Sequence, residues 1–195
     1  MTYEILSALI LFAFVSSITP GPNNLMLMAS GANFGFLRTV PHMLGIGLGF
    51  TFMVLMVGAG LMKVFEAIPA SHTVLKVLSI AYLLYLAWKI GNSSPVADQA
   101  DTGTPMTFLQ AAAFQWVNPK AWTMALTAIS VYAPDRTGWT IVLVAATFGA
   151  VNLPCVSSWT VIGQQMAKLL KSPRRLIAFN WTMAALLVLS IIPTL

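Results

Sequence analysis

The sequence predicts an all-α membrane protein with six transmembrane helices. Of its 195 residues, 58% are hydrophobic and only 8% are charged, whereas a typical soluble domain has about 25% charged residues. The mean hydropathy is +0.83. A membrane-spanning helix needs roughly 20 apolar residues, and six apolar runs of about that length follow one another along the chain. We therefore expect a single domain over residues 1–195, with short loops between helices.

The polar residues exclude several other classes of protein. The net charge of +5 suits anionic lipid headgroups, so we expect membrane lipid rather than nucleic acid as a partner. The chain has two histidines, one cysteine and no acidic residue inside a predicted span. We therefore expect no metal site and no cofactor. The N-terminus, Met1-Thr2-Tyr3-Glu4, lacks the basic start of a cleavable signal peptide.

The first predicted helix covers about residues 4–29 and is broken in its middle. Pro20 and Pro22 each remove a backbone N–H and leave the carbonyl four residues earlier without its helical partner. Gly21, between them, weakens the helix further. In hydrocarbon the freed groups need polar partners. The polar residues beside this break are Thr19, Asn23 and Asn24.

The second predicted helix covers about residues 39–62, after a short loop at 30–37. It is rich in glycine, and Gly45 and Gly49 form a GxxxG pair. Such a pair lets another helix approach closely. The partner helix could belong to the same chain or to a second copy, so a homodimer is one of two open interpretations.

The third predicted helix covers about residues 72–91 and lies between two polar segments. It ends with Trp88 and Lys89, a pair typical of the membrane interface. Residues 63–71 before it predict a polar turn. Residues 92–105 after it are rich in serine, aspartate and proline, and they predict a mobile loop.

The fourth predicted helix covers about residues 106–132 and is also broken. Pro119 follows Gln115-Trp116-Val117-Asn118 and frees the carbonyl of Gln115. Lys120 is the one charged side chain near the centre of a predicted span. A charged residue at that depth indicates a functional site. The last two predicted helices cover about residues 138–164 and 176–195.

The two breaks predict a 3+3 inverted repeat, with halves at about 1–97 and 98–195. Pro20 and Pro119 are 99 positions apart, and Gly49 and Gly149 are 100 positions apart. Halves of three helices face opposite ways across the membrane. Broken helices in corresponding positions of such halves indicate a substrate site near the midplane. The simpler alternative is that two prolines kink two helices without forming a site.

The basic residues predict the orientation, because cytoplasmic loops are enriched in lysine and arginine. Loops 1, 3 and 5 contain six of them, namely Arg38, Lys89, Lys168, Lys171, Arg174 and Arg175. Loops 2 and 4 contain three, namely Lys63, Lys76 and Arg136. We therefore expect loops 1, 3 and 5 in the cytoplasm and both termini outside.

Three features together resemble the LysE/RhtB family of bacterial amino-acid exporters. They are Thr19-Pro20-Gly21-Pro22-Asn23, the glycine-rich second helix and Asn118-Pro119-Lys120-Ala121. The resemblance extends over nearly the whole chain in length, helix number and motif order. The segment Gln115-Trp116-Val117-Asn118 is similar to the branch that exports cysteine and O-acetylserine. The resemblance implies a bacterial inner-membrane transporter for small neutral amino acids or their derivatives, of the cysteine/O-acetylserine or homoserine/threonine class, driven by the proton gradient.

An amino-acid substrate carries a carboxylate and an ammonium, and each needs a partner outside water. Lys120 is expected to pair with the carboxylate or to hold the broken helix; the alternative is that it reaches the interface. The ammonium is expected at asparagine oxygens or at the freed carbonyls of Ser16, Ile18 and Gln115. The candidate substrate-binding residues are Thr19, Pro20, Gly21, Pro22, Asn23, Asn24, Gln115, Asn118, Pro119 and Lys120.

The route of a coupled proton stays open among three candidates. His42, at the start of the second predicted helix, titrates near neutral pH in water and could relay a proton. The other two are Lys120 and the substrate itself.

Two other function classes compete with transport. An intramembrane metalloprotease needs a His-Glu-x-x-His motif, which this chain lacks, and a thiol–disulfide carrier needs two cysteines. A serine enzyme that pairs Ser157 or Ser158 with His42 has no motif in its favour. A non-transporting assembly subunit would explain the packing glycines, but it would not need Lys120 and two broken helices.

Overall fold

The computed structural model describes residues 1–61, 67–68, 70–93, 104–170 and 172–192, and for His72 only the backbone. The described residues form α-helices joined by short turns, which confirms the all-α prediction. The helices are α1 (Tyr3–Ile18), α2 (Pro22–Phe34), α3 (Phe36–Met56), α4 (Ala70–Gly91), α5 (Phe108–Phe114), α6 (Pro119–Tyr132), α7 (Gly138–Leu169) and α8 (Pro173–Leu189). A π-helical turn, Val57–Leu61, extends α3, and a 3₁₀ turn, Gln115–Val117, follows α5.

Three segments are long and apolar enough to cross a membrane. They are Phe36–Leu61, Thr73–Gly91 and Gly138–Leu169. A fourth candidate is the pair α1 and α2, which is bent by 55° at its break. The chain is thus an all-helical membrane protein with three to four candidate spans among its described residues. The fourth and sixth predicted spans do not form a single helix of comparable length. In the fourth, α5 and α6 are separated by a turn, and in the sixth, α8 has 17 residues.

Both predicted breaks are present, and each is followed by a helix that begins with proline. Pro22 is the first residue of α2, and Pro119 is the first residue of α6. Proline suits this position because the first N–H of a helix has no partner within the helix. Pro22 and Pro119 therefore occupy the same local position, whereas Pro20 lies in the turn before α2. The Asn118 side chain caps α6 by accepting a hydrogen bond from the Lys120 N–H at 3.1 Å.

Two predicted loop boundaries are wrong. No loop covers residues 30–37, because α2 continues to Phe34 and only Gly35 separates it from α3. Gly35 has φ of +79°, a conformation that favours glycine. In addition, α7 continues to Leu169, so Lys168 lies in its last turn, where a basic side chain interacts favourably with the carbonyl end of the helix.

Three other predictions fall wholly or mostly outside the described residues. These are the polar turn at 63–71, the mobile loop at 92–105 and the boundary between the halves at 97–98. Residues 62–66, 69 and 94–103 are not described.

The long helix α7 is the scaffold on which α1, α2 and α3 pack. Its contact with α2 is a contact between backbones. A Cβ atom added to Gly163 would meet the backbone of Met28, and one added to Gly31 would meet the backbone of Thr160. Glycine at both positions lets the two helices approach closely.

The GxxxG pair of α3 packs within the chain. A Cβ atom on Gly49 would lie 2.6 Å from the Cα atom of Ala112, and one on Gly45 would meet Phe108 and Ala111 of the same helix, α5. Of the two interpretations of this pair, the structure thus shows the intrachain one. The pair gives no support for a homodimer.

Two hydrophobic clusters meet at the breaks. One joins α2, α4, α5, α8 and the first half of α3, and the other joins α1, α6, the rest of α3 and the first half of α7. Val156 of the first cluster and Phe50 of the second line the same cavity. The buried polar residues of that cavity are Ser17, Asn24, Asn118 and Asn152. The fold thus encloses a polar layer between two apolar cores.

We predict that Gly163→Ala destabilises the protein, because the added methyl group would overlap the Met28 backbone. Overpacking of this kind costs about 1–3 kcal/mol. Gly138→Ala is the matched control, since no atom lies within 4 Å of a Cβ atom added there. The measurement is thermal unfolding of both variants in detergent. Equal midpoints for the two variants would contradict the close approach of α2 and α7.

Candidate functional site

Lys120 lies across the break in the first helix. Its Nζ atom donates hydrogen bonds to the Thr19 carbonyl at 2.8 Å, the Thr19 hydroxyl at 2.9 Å and the Pro20 carbonyl at 3.3 Å. The side chain also passes close to Gly21, where a Cβ atom would lie 2.7 Å from the Lys120 Cδ atom. The second residue of α6 thus holds the end of α1, and glycine at position 21 makes room for it.

The carbonyls freed by the prolines are occupied by protein groups. The Ser16 carbonyl accepts from the Thr19 hydroxyl at 3.0 Å, and the Ile18 carbonyl accepts from the Trp159 indole at 3.1 Å. The Gln115 carbonyl accepts from the Asn118 N–H at 3.3 Å. The expectation that these carbonyls meet a substrate ammonium is therefore not supported in this conformation. Hydrocarbon offers no hydrogen-bond donors, so the protein itself must supply the donors to these carbonyls.

Asn24 also donates hydrogen bonds to backbone carbonyls at the first break. Its amide nitrogen donates to the carbonyls of Ser17 and Thr19, each at 2.8 Å. Asn24 is only 3% exposed, so both bonds are made away from bulk water. The side chain therefore fixes the angle at which α2 leaves α1.

Asn23 and Gln115 form a reciprocal amide pair between the two breaks. The Asn23 Nδ2 atom donates to Gln115 Oε1 at 2.9 Å, and Gln115 Nε2 donates to Asn23 Oδ1 at 3.1 Å. Asn23 is the second residue of α2, as Lys120 is the second residue of α6. Each of these residues reaches the break of the other helix. The two breaks thus exchange equivalent contacts.

A cavity of about 20 Å³ opens beside the two breaks. This volume holds about one water molecule, so a larger solute fits only if the two breaks move apart. Five of the ten predicted site residues line it. Of the other five, Pro22 and Pro119 begin α2 and α6, and Thr19, Pro20 and Gln115 form hydrogen bonds with lining residues. The five lining residues are Gly21, Asn23, Asn24, Asn118 and Lys120. The structure therefore brings all ten predicted site residues to one place.

The sequence leaves Asn152 open between two interpretations, a residue that lines the same cavity and a residue that packs helices. Asn152 is a buried residue of α7 that lines the cavity, and its Nδ2 atom donates to the Ser17 hydroxyl at 3.0 Å. Its Oδ1 atom is buried and has no hydrogen-bond partner among the described residues. The signal in the sequence was an asparagine inside an apolar run, but nothing in the sequence placed it opposite the breaks.

The charge of the cavity is unbalanced. Lys120 is the cation, and its three partners are neutral oxygens. None of the described lining residues is acidic. The first turn of α2 adds positive potential, because its cap residue, Gly21, has no side chain that could bond to it. The lining of the cavity therefore combines a cation without an acidic partner, Lys120, with an unpaired acceptor, the Asn152 oxygen.

His42 lies outside this cavity. It is 2% exposed and lines a second cavity, on the other half of α2. The structure therefore does not bring the proposed proton relay next to Lys120. The serine–histidine pair also fails to form, because the Ser157 and Ser158 hydroxyls bond to the carbonyls of Leu153 and Cys155.

The described residues contain no group of three or more His, Cys, Asp or Glu side chains that could hold a metal ion. The chemistry that the site offers is thus hydrogen bonding and charge pairing with a small polar solute.

The comparisons with known proteins agree with this description. The family of LysE type translocators matches residues 14–191. The cysteine/O-acetylserine efflux protein of Klebsiella pneumoniae is 30% identical over 96% of this chain and 95% of its own length. The protein of the same name from Escherichia coli strain K12 is 30% identical over 96% of both chains. No solved structure matches the chain.

The family match covers most of the chain, and both breaks lie within it. The chain therefore belongs to the LysE family of translocators, and it is a transport protein rather than an enzyme.

Proposed function

We propose that this protein exports a small neutral amino acid from the cytoplasm and binds it in the cavity between the two breaks. The observation that carries the proposal is the Lys120 ammonium. It crosses from one broken helix to the other, lines the cavity and has only neutral partners. Lys120 is half-buried, and a partly desolvated cation without a carboxylate partner favours the binding of an anionic group.

The substrate carboxylate binds to Lys120 and to the first turn of α2. Charge-assisted hydrogen bonds are about twice as strong as neutral ones. The carboxylate therefore competes well with the Thr19 and Pro20 carbonyls for the Lys120 ammonium. When it takes the ammonium, the clamp between α6 and α1 is released. Substrate binding is thereby coupled to movement of the two broken helices against each other.

The substrate ammonium binds to the Asn152 amide oxygen. This oxygen is buried without a partner, a state that costs about 1–3 kcal/mol. An ammonium donor would remove that cost. The cavity then holds both ends of a neutral amino acid without an acidic side chain.

The substrate class is cysteine, O-acetylserine or a related small neutral amino acid. One observation supports it. The relatives at 30% identity are named for efflux of cysteine and O-acetylserine. We further propose that the proton gradient drives export.

The six-span inverted repeat belongs to the same proposal. The exchange of contacts between the breaks supports it, since Asn23 reaches Gln115 while Lys120 reaches Thr19. Inverted repeats place such broken helices on both sides of one site. The protein would lie in the bacterial cytoplasmic membrane with both termini outside.

The first test of this function is Lys120→Met in cells preloaded with radiolabelled O-acetyl-L-serine. Loss of a buried charge partner costs about 2–5 kcal/mol, so export should fall at least about 30-fold. Lys168→Met, an exposed lysine in the last turn of α7, is the matched control and should export normally. Normal export by Lys120→Met at equal membrane abundance would contradict the role of Lys120.

The role of Asn152 is tested against its own hydrogen-bond partner. Asn152→Ala should weaken binding of O-acetyl-L-serine about tenfold, because it removes the acceptor for the ammonium. Ser17→Ala is the control, since it removes the same hydrogen bond to Ser17 but keeps the Asn152 oxygen. Equal affinity of the two variants, measured by equilibrium dialysis, would assign Asn152 to packing alone.

The topology is tested by single cysteines in a Cys155→Ser background, since Cys155 is the one native cysteine. Thr2→Cys and Asp135→Cys should react with an impermeant thiol reagent in intact spheroplasts. Arg38→Cys and Ser172→Cys should react only after permeabilisation. Labelling of Thr2→Cys and Asp135→Cys from opposite sides would rule out the six-span arrangement.

A further inference from the structure

A second cavity, of about 270 Å³, lies along the other half of α2. It is lined by α2, by the start of α3, by the end of α4 and by residues 104–106. Its α2 residues include Met26 and Ser30, whereas Asn23 and Asn24 line the cavity at the breaks. At 1.5 Å per residue, Ser30 is about 10 Å along the helix from Asn23.

His42 is the unusual residue of this second cavity. Both of its ring nitrogens are buried, and neither has a hydrogen-bond partner among the described residues. A neutral imidazole has one donor and one acceptor. Leaving them unmet costs about 1–3 kcal/mol for each group. A ligand oxygen that accepts from the imidazole N–H would remove the cost of that donor.

Lys89 adds a charge to the same cavity. It is half-buried on α4 and lines the cavity with His42. Among the described residues its ammonium has no carboxylate partner. The second cavity, like the first, thus combines a lysine with an unpartnered polar group.

Two of the other buried polar side chains of the cavity are engaged elsewhere. The Ser30 hydroxyl bonds to the Thr39 hydroxyl at 2.9 Å. Asn33 forms a reciprocal amide pair with Asn180 at 2.8 and 3.0 Å. The His42 imidazole and the Lys89 ammonium are thus the charged or buried unpaired groups among the described lining residues. This set fits an anionic group that accepts one ion pair and one hydrogen bond.

We infer that this cavity is a second binding site for the substrate carboxylate, held by Lys89 and His42. The inference rests on the proposed function, because the ligand is the same amino acid. The two sites share α2, so the substrate would occupy them one after the other along its path. An anionic lipid headgroup offers similar chemistry, and the test distinguishes the two ligands.

The test is equilibrium dialysis of radiolabelled O-acetyl-L-serine against the full-length protein, purified in detergent and freed of lipid. The wild type should bind two molecules per chain. His42→Leu and Lys89→Met should each bind one at the same concentration, with the second affinity at least tenfold weaker. Lys168→Met, on the exposed end of α7, is the matched control and should still bind two.

Folding is checked by thermal unfolding. His42→Leu should not lower the midpoint, because it removes two unpartnered buried nitrogens and fills their place with an apolar side chain. Lys89→Met keeps the length of the side chain and removes only the charge. The two variants thus test the site independently.

The outcomes separate this inference from the proposed function. One molecule per wild-type chain, lost in Lys120→Met and unaffected by Lys89→Met, would overturn the second site and leave the exporter intact. Displacement at the His42-dependent site by phosphatidylglycerol but not by unlabelled O-acetyl-L-serine would assign the cavity to lipid and also overturn it. No binding and no export of the amino acid would refute the proposed function itself.

Discussion

The structure depends on one constraint, which is that backbone carbonyls freed inside a membrane must still receive hydrogen bonds. The break between α1 and α2 leaves the last carbonyls of α1 without helical partners. The carbonyls of Ser17, Ile18 and Thr19 accept hydrogen bonds from Asn24 of α2, Trp159 of α7 and Lys120 of α6, in that order. Each of these bonds also fixes one helix relative to another. The hydrogen bonds that satisfy the carbonyls at the break therefore also hold the helices together.

Lys120 has a special place among these donors because it carries a charge. A neutral donor would satisfy the carbonyls equally well and would leave no net potential. The ammonium satisfies them and still attracts a carboxylate, since neutral oxygens only partly compensate its charge. Under the proposed function, this one side chain closes the break when the site is empty and binds the substrate when it is occupied. Release of the break on binding would then couple recognition to movement.

The short helix α2 connects the two cavities, and its surroundings suit that position. Glycines at positions 31 and 163 bring it against the backbone of α7. Amide pairs join it to Gln115 near one end and to Asn180 near the other. These contacts are specific in geometry but made without charge. These pairs hold α2 in one position, because breaking a buried pair would leave polar groups unpaired at a cost of about 1–3 kcal/mol each.

The sequence alone predicts a helical membrane protein, and it locates both breaks and the ten candidate site residues around them. These properties follow from composition and from the backbone chemistry of proline, which act locally. It did not predict that the freed carbonyls would be filled by Trp159 and by the Thr19 hydroxyl. It left Asn152 open between lining the site and packing helices, and it did not show that His42 lies in a different cavity from Lys120. These contacts depend on which faces of distant helices meet, and a local sequence pattern does not predict that. The packing of α1, α2 and α3 on α7 brings the faces together.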